Sequence, residues 1–399
     1  MEVIQNNISL SINDKDLANI KRLRELVKEE LTPYYDTDFN LLRWLQGHHN
    51  NFDEIVPKLK SHLAMRKSNF KLDSIADGPR NNPVHSYWES GLTCEAELTP
   101  NCIVNVEQTG ANDYWGILHK FSLNEILMAR IYDLETMLRK IMEKEKETGH
   151  QHSIMYIMDL SGLHFDSNLI TMLRGALRSL STFITEHYVE LIRSFVLVNA
   201  PEFISMIWSI AKPLLPEKTR QKVIIMGASH WRKEILEMAT PKALPAFWNE
   251  SSENRKQGRS GSMVNSGGPG ASELNRSKPV DRNSLYKSDP KQTVASGYYK
   301  QLNVSPGKSS YVDLKVEKFE TDGHFSFGFY FVEDEKSNQW KMIYPRLNHI
   351  PGPTYVPMSG QHKSEMTGIY RLFFSNEHSW FHVLKIRYRI QSNLNKEEE

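Results

Sequence analysis

The sequence predicts a multi-domain protein: a small all-α N-terminal unit, an α/β domain with a mostly parallel sheet, and a C-terminal β-sandwich. Three observations support this prediction. Apolar residues recur at helical spacing up to about residue 68, and short apolar strands alternate with amphipathic helices up to about residue 250. From about residue 298, apolar and polar residues alternate with a period of two. A chain of 399 residues is long enough for several domains.

Changes in composition and periodicity predict the domain boundaries. The helical unit is expected over 1–75, the α/β domain over 76–250 and the β-sandwich over 294–393. Residues 251–293 are rich in Ser, Gly and basic side chains and contain few apolar ones, which predicts a flexible basic linker. We expect this linker to be a solvated tether, with a lipid-headgroup contact as the alternative. Residues 394–399 are predicted to be a disordered tail.

The N-terminal unit is predicted to contain three helices, over 14–30, 36–46 and 52–68. Each of the first and third carries a stripe of apolar residues at helical spacing. Either Asp36 or Thr37 is suited to cap the second helix.

The stretch 186–227 organises the central domain. Its runs Phe195–Val198 and Val223–Met226 are continuously apolar, which is typical of parallel strands buried on both faces. A helix is predicted between them, with Pro201 in its first turn and Pro213 at its end. The two apolar faces of this helix comprise Phe203, Ile207, Ile210 and Leu214 on one side, and Ile204, Trp208, Ala211 and Leu215 on the other.

A helix with two apolar faces is either buried all round or packs on protein with one face and on a greasy ligand or bilayer with the other. The remaining elements predicted for this domain are strands over Ile103–Val106 and Ile154–Met158 and single helices over 123–147 and 168–185. Asp159 follows a buried strand, where it is expected to cap the next turn.

Alternating strands predict the C-terminal sandwich. The clearest is Phe325–Phe331, in which every second residue is Phe, and Leu384–Ile390 alternates apolar with basic side chains. Turn signals such as Asp322-Gly323 and Pro351-Gly352-Pro353 separate the strands. We expect Lys385, Arg387 and Arg389 to form the solvated face, with an anionic partner as the alternative.

Composition and motifs exclude several functional classes. The formal net charge of +1 gives no reason to expect a nucleic-acid partner, and two cysteines are too few for a disulfide framework. Neither a secretory signal nor a membrane-spanning run is predicted, so we expect a cytosolic protein. No GxSxG, phosphate-loop or HExxH motif is found, and we therefore predict neither an enzyme nor a metal site.

Several motifs, in this order, resemble those of the CRAL-TRIO lipid-transfer family. They are Leu41-Leu42-Arg43-Trp44-Leu45, Asp159-Leu160-Ser161-Gly162-Leu163, Glu186-His187-Tyr188-Val189-Glu190, Val198-Asn199-Ala200-Pro201, Lys212-Pro213-Leu214-Leu215 and Leu244-Pro245. The C-terminal stretch Gly368–Asn376, with Ser379-Trp380, resembles a GOLD domain. The resemblance covers nearly the whole chain apart from the linker.

The resemblance implies an α/β cup that encloses one apolar lipid behind a mobile helix, which maps onto Ala200–Leu215. One face of this helix would line the pocket and the other could enter a bilayer. The pocket and gate residues implied in this way are Phe203, Ile204, Ile207, Trp208, Ile210 and Leu214. A GOLD domain would add protein or membrane contacts at Golgi or endosomal surfaces. No cofactor other than the bound lipid is expected.

The sequence departs from the family where a headgroup would bind. Family members that exchange phosphatidylinositol hold its phosphate with an Arg-Lys pair after the first motif, and here that place is Gln46–Asn50, without Arg or Lys. The remaining candidate headgroup contacts are His48, His49, Glu190, Thr219 and Lys222. A phosphate needs charge-assisted donors. The ligand therefore stays open between a phospholipid, a sterol precursor and a tocopherol-like molecule.

Two further departures are Phe247-Trp248-Asn249, where the family has a closing Gly-Gly, and Ser375, where a GOLD domain has Asp. Taken together, the sequence predicts a cytosolic lipid-binding and transfer protein that exchanges its ligand at membranes. The alternative is a lipid-sensing interaction scaffold in Golgi or endosomal trafficking or signalling, which would act through the GOLD domain.

Overall fold

The structure is a computed structural model. It describes residues 12–165, 167–215, 217–249, 300–304, 309–313, 318–333, 339–350, 352, 354–360, 362, 368–377, 379 and 381–389. The predicted linker 251–293 and tail 394–399 lie outside the described residues, and the predicted domain boundaries stay predictions.

Eleven helices are found in the described residues: α1 Asp14–Leu26, α2 Asp38–Gly47, α3 Phe52–Lys67, α4 Leu72–Ile75, α5 Tyr114–Lys120, α6 Leu123–Thr148, α7 Ser167–Arg174, α8 Ala176–His187, α9 Ile204–Ala211, α10 Glu217–Gln221 and α11 Trp231–Ile235. Short 3₁₀ turns span Pro83–Ser86, Lys212–Leu214, Pro241–Ala243 and Ala246–Asn249. The strands in the same residues are β1 Ser90–Glu95, β2 Cys102–Glu107, β3 Ser153–Asp159, β4 Ile192–Ala200, β5 Val223–Gly227, β6 Lys300–Val304, β7 Ser309–Asp313, β8 Lys318–Thr321, β9 Phe325–Val332, β10 Lys341–Ile350, β11 Met358–Ser359, β12 Ile369–Ser375 and β13 Leu384–Arg389.

The predicted N-terminal helices are confirmed as α1, α2 and α3. The Thr37 side chain caps α2 by accepting a hydrogen bond from the backbone N–H of Asn40 at 3.1 Å. Asp36, the alternative cap, instead accepts from Arg24 Nε at 2.7 Å. The apolar stripes of α1, α2 and α3 are buried against each other, which is the expected source of stability for helices this short.

Two buried ion pairs join this helical unit to the long helix α6. Arg43 of α2 pairs with Glu145, and both side chains are almost fully buried. Arg66 of α3 donates two hydrogen bonds to Glu135, at 2.9 and 3.1 Å. Burying charges is costly unless they are paired and hydrogen-bonded, and both pairs meet this requirement where the helices touch.

The central sheet has five strands in the order β1-β2-β3-β4-β5. The pairs β2–β3, β3–β4 and β4–β5 are parallel, and β1 joins the edge in the antiparallel direction. The predicted α/β domain with a mostly parallel sheet is confirmed. Behind the sheet, Val196 and Val198 pack with Trp231 of α11 in a solvent-free cluster.

Two expectations for this domain were wrong. The strand β5 is an edge strand, and Ile224 and Ile225 are 37% and 36% exposed instead of buried on both faces. The single helix expected over 168–185 is divided into α7 and α8 at Gly175, whose backbone angles (φ −105°, ψ −98°) are not helical. Glycine tolerates such a conformation because it has no Cβ.

The C-terminal domain contains two four-stranded antiparallel sheets, in the orders β10-β9-β12-β7 and β11-β8-β13-β6. Phe374 and Leu372 of the first sheet share one apolar cluster with Leu384 and Ile386 of the second. The strands predicted for this part of the chain are confirmed and form antiparallel sheets, whereas the GOLD-type sandwich stays a prediction. The strict alternation of buried and exposed side chains expected for β9 is not observed, since Ser326 is fully buried as well. The strand β9 is an inner strand of its sheet, with β10 on one side and β12 on the other, which explains this burial.

None of the helices in the described part of the chain has both the length and the apolar character needed to cross a membrane.

Candidate functional site

A cavity of about 520 Å³ lies against one face of the central sheet. This volume falls within the usual range for small-molecule sites. The sheet contributes Tyr156, Met158, Phe195, Leu197 and Val223 to the wall. Helices α5 to α8 contribute mainly apolar side chains, among them Ile117, Leu118, Leu123, Ile126, Leu127, Leu169, Met172, Leu180, Phe183 and Ile184. The wall as a whole is predominantly hydrocarbon.

The burial pattern of β4 explains why its sequence is apolar on both faces. Val196 and Val198 are fully buried behind the sheet, whereas Phe195 and Leu197 are half-buried and line the cavity. Successive side chains of a strand point to opposite faces. One apolar face therefore packs into the protein core and the other faces the hollow.

The helix α9 closes one side of the cavity. Of the six predicted pocket and gate residues, Ile204, Ile207 and Trp208 lie on the wall, together with Ala211 and Leu215. Phe203 and Ile210 are not among the wall residues that the structure describes. The side chain of Leu214 lies outside the described residues. The helix begins three residues after Pro201 and passes into the 3₁₀ turn at Lys212–Leu214, which contains Pro213.

The exposed side of α9 is mixed in character, because Met206, which is 46% exposed, is accompanied by the exposed Ser205 and Ser209. Phe165, which is 50% exposed, contacts the Phe203 ring at a centroid distance of 5.7 Å. Exposed apolar side chains that cluster in this way are typical of surfaces that meet a partner or a membrane.

Four of the five predicted headgroup residues meet at the end of the cavity where β4 and β5 begin. His48, Glu190, Thr219 and Lys222 line the wall there, whereas His49 is exposed and is not among the described wall residues. The Lys222 ammonium donates to Glu190 Oε2 at 2.8 Å and to the Ile192 carbonyl at 2.9 Å. We call these four residues the headgroup cluster.

The headgroup cluster carries little unpaired positive charge. The Lys222 ammonium is paired with Glu190. Lys218, a neighbouring wall residue outside the cluster, donates to the Gln46 and Gly47 carbonyls at the end of α2, which are uncharged and do not neutralise it. Burial, reinforced by the charge of Lys58, lowers the pKa of His48 even though Glu54 opposes the shift. The headgroup cluster itself therefore offers few charge-assisted donors to a highly charged phosphate.

A second polar group lies deeper in the wall, and the sequence reasoning missed it. Glu107, at the end of β2, accepts hydrogen bonds from the hydroxyls of Tyr114, Tyr156 and Thr109. Arg130 of α6 donates to the Tyr156 hydroxyl at 2.8 Å and lies 3.6 Å from Glu107. We call Glu107, Thr109, Tyr114, Arg130 and Tyr156 the inner polar cluster.

In the inner polar cluster, the guanidinium of Arg130 lies beside the carboxyl group of Glu107, and the hydroxyls of both tyrosines are protonated. Burial raises the pKa values of Tyr114 and Tyr156 well above their usual range, so both hydroxyls keep their protons and donate. Because both hydroxyl protons are directed at Glu107, the two tyrosine oxygens can act towards a ligand only as hydrogen-bond acceptors. One sequence signal could have revealed the cluster: Arg130 lies on the apolar stripe of α6, between Leu127 and Leu134.

Close backbone packing shapes the cavity at the carboxyl ends of β2 and β3. The wall residues Gly110 and Gly162 lie in the loops that follow these strands. A Cβ on Gly110 would come within 2.3 Å of the Ser161 carbonyl oxygen, so only glycine fits. Asp159 caps this turn as predicted, because its Oδ1 accepts from the Ser161 N–H at 2.9 Å.

Within the described residues, no group of three His, Cys, Asp or Glu side chains is arranged to hold a metal ion.

Three family models match the chain. Residues 98–249 match the CRAL/TRIO domain, residues 10–75 match a domain of unknown function, DUF8435, and residues 285–399 match the model F28H7_8_C, a "-like, C-terminal domain". The match to the CRAL/TRIO domain thus covers the central part of the chain. The C-terminal match does not identify a GOLD domain.

Two relatives from Caenorhabditis elegans align over most of the chain. The CRAL-TRIO domain-containing protein F28H7.8 is 26% identical and the alignment covers 96% of this chain and 91% of that protein. Protein ctg-1 is 24% identical, with 93% and 95% covered. Among solved structures, the crystal structure of Sfh5 aligns with a TM-score of 0.47 and 16% identity, over 68% of this chain and 95% of that chain.

Proposed function

We propose that the protein is a lipid-binding and transfer protein, not an enzyme, which encloses one hydrophobic ligand in the cavity and exchanges it at membranes. The observation that carries the proposal is the hydrocarbon-walled cavity of about 520 Å³ closed by α9. The CRAL/TRIO match at residues 98–249 supports it, because the lipid-transfer family that the motifs resemble has this activity. The order of the motifs is also similar to that of supernatant protein factor, or tocopherol-associated protein.

The helix α9 is proposed to be the gate. Its inner residues Ile207 and Trp208 would cover the ligand, and its outer residue Met206 would enter the membrane surface. Burial of each such side chain is worth roughly 1.5–3 kcal/mol. Burying the outer side chain in a bilayer would offset the packing that is lost when the gate opens, so the membrane shifts the equilibrium towards the open state.

The ligand is proposed to be a lipid with a small or weakly charged polar group. Supporting this, Lys222 of the headgroup cluster is already paired with Glu190, and in the inner polar cluster the Arg130 guanidinium lies 3.6 Å from the Glu107 carboxyl group. A sterol precursor, a tocopherol-like molecule or a phospholipid other than a phosphoinositide fits this chemistry. His48, Glu190, Thr219 and Lys222 remain the proposed headgroup contacts.

We further propose a cytosolic location with transient association with intracellular membranes. The resemblance of residues 368–376 to a GOLD domain favours Golgi or endosomal membranes and a protein partner of the C-terminal domain. No nucleic-acid partner is proposed, since the formal net charge is only +1.

Two experiments test this function. The first is to purify the full chain from a eukaryotic cell, extract it with organic solvent and identify the released lipid by mass spectrometry. We expect about one lipid per chain, and an empty extract from folded protein would contradict a carrier.

The second experiment compares Ile207→Asp with Leu98→Asp, an equally polar change at an exposed site outside the cavity. Only Ile207→Asp is expected to abolish lipid transfer between vesicles.

A further inference from the structure

The C-terminal domain supplies part of the cavity wall. Leu347 and Ile350 of β10 and Met358 of β11 line the same hollow as the helices of the central domain. They are only 5%, 7% and 2% exposed. All three residues lie far beyond residue 249, where the CRAL/TRIO match ends.

One set of contacts holds β10 to the N-terminal helical unit. The backbone N–H of Asn69, just after α3, donates to the Ile343 carbonyl at 3.0 Å. The adjacent Phe70 ring meets the Tyr344 ring edge-on at a centroid distance of 4.7 Å. The strand that carries Leu347 and Ile350 is thus fixed on one side by a hydrogen bond and an aromatic pair.

A second set of contacts holds the segment around Met358 to α5 and α6. The Asn124 side chain donates from Nδ2 to the Ser359 carbonyl at 2.9 Å. The Tyr355 ring stacks on His119 at 4.2 Å and meets Trp115, itself a cavity residue, at 5.3 Å. Contacts on both sides therefore position the three apolar side chains against the hollow.

We propose that Leu347, Ile350 and Met358 contact the hydrocarbon part of the bound lipid, so that the ligand site is shared between two domains and the C-terminal domain helps to select the ligand. This inference rests on the proposed lipid-carrier function. The three side chains offer only apolar surface, which suits an acyl or isoprenoid chain and not a polar group. Met358 is flexible and polarizable and can adapt to chains of different shape.

Photolabelling of the full chain tests the contact directly. The protein is loaded from vesicles with a phosphatidylcholine that carries a diazirine in its acyl chain, and in parallel with a diazirine sterol. After irradiation, labelled peptides are identified by mass spectrometry. We expect label on peptides that contain Leu347, Ile350 or Met358, as well as on α8. Label confined to the central domain would overturn this inference and leave the carrier function standing, whereas no label with either probe would count against the carrier function itself.

Substitutions that fill the cavity give an independent readout. Ile350→Phe and Met358→Phe are expected to reduce retention of whichever probe binds by about 10-fold, which corresponds to about 1.4 kcal/mol. The matched control is Val383→Phe, an enlargement of a 42% exposed residue of the same domain, which is expected to bind like the unmodified protein. Thermal melting checks that each variant is folded. Unchanged retention by the folded Ile350→Phe and Met358→Phe variants would overturn the proposal.

Discussion

The indole N–H of Trp248 donates to Oδ2 of Asp159 across 2.8 Å, with both side chains buried. This bond joins the last 3₁₀ turn of the central domain to the end of β3, in the loop that borders the cavity. Trp248 stands where the CRAL-TRIO family that the sequence resembles has a closing glycine. The departure from the family pattern therefore has a structural role: it supplies a donor to a buried carboxylate.

We expect Trp248→Phe to destabilise the fold by about 1–3 kcal/mol, because it leaves one carboxylate oxygen of Asp159 without its indole donor. Urea denaturation measures the change. Trp231→Phe is the matched control, since Trp231 packs edge-on against Trp248 at 5.0 Å and its indole nitrogen has no hydrogen-bond partner among the described residues. Equal losses in the two variants would show that packing, and not the hydrogen bond, is responsible.

Breaking the Arg43–Glu145 pair should be strongly destabilising. Arg43→Met leaves Glu145 buried and unpaired, for which a loss of about 3–5 kcal/mol is expected. The double variant Arg43→Met/Glu145→Met should recover part of this loss. For comparison, Glu143→Gln breaks only the exposed pair with Lys140, and a loss below about 1 kcal/mol is expected. Urea midpoints that rank otherwise would contradict this assignment.

The stability of the protein should fall below about pH 6.5, partly because of His62. This side chain is fully buried among aromatic rings, and neither ring nitrogen has a hydrogen-bond partner in the described part of the chain. Burial, with the charge of Arg66, lowers the pKa of His62 well below its usual value. The His62 side chain therefore binds a proton near pH 6.5 in the unfolded chain but not in the folded chain. As the pH drops from there towards the folded-state pKa, the free energy of unfolding decreases.

His62→Phe should weaken this pH dependence by up to about 1.4 kcal/mol per pH unit between pH 6.5 and 5. Unfolding free energies measured by urea titration at several pH values give the slope. Leu63→Met, a change at a buried residue of the same helix that carries no titratable group, should keep the slope of the unmodified protein. A His62→Phe variant with that same slope would exclude His62 as the source.

The two sides of α9 should separate ligand retention from membrane contact. Met206→Ser removes an exposed apolar side chain from the outer side of the helix and leaves the cavity wall intact. We expect slower lipid transfer between vesicles, by up to about 10-fold, with unchanged lipid content after purification. A comparable change at another exposed apolar residue, Leu17→Ser on α1, should leave the transfer rate unchanged. Loss of bound lipid from Met206→Ser would contradict this division of roles.

Periodicity was enough to predict the layers of the fold. The N-terminal helices and the mostly parallel sheet were predicted because each has a simple apolar pattern, and Thr37 was one of two predicted caps. The break at Gly175 was missed because residues on both sides continue the helical pattern. The exposure of Ile224 and Ile225 was missed because strand order decides which strand is at the edge, and apolar content does not.

The cavity was predicted less completely than the fold. The two apolar faces of the helix were predicted from spacing, and its role as a gate was expected only from the resemblance. Which face lines the hollow depends on how α9 rotates against the sheet. The inner polar cluster joins β2, β3, α5 and α6, and no spacing along the chain connects Glu107 with Arg130. The contribution of β10 and β11 to the cavity wall depends on packing between domains, which local periodicity does not predict.

One hollow receives side chains from all three matched segments: His48 from the first, Leu197 from the second and Leu347 from the third. A change of cargo during evolution would then require compensating substitutions at positions far apart in the gene. Among homologues, wall residues should covary across the segment borders more strongly than their surface neighbours do. A chimaera that receives only the middle segment of a relative would acquire only part of that relative's ligand preference.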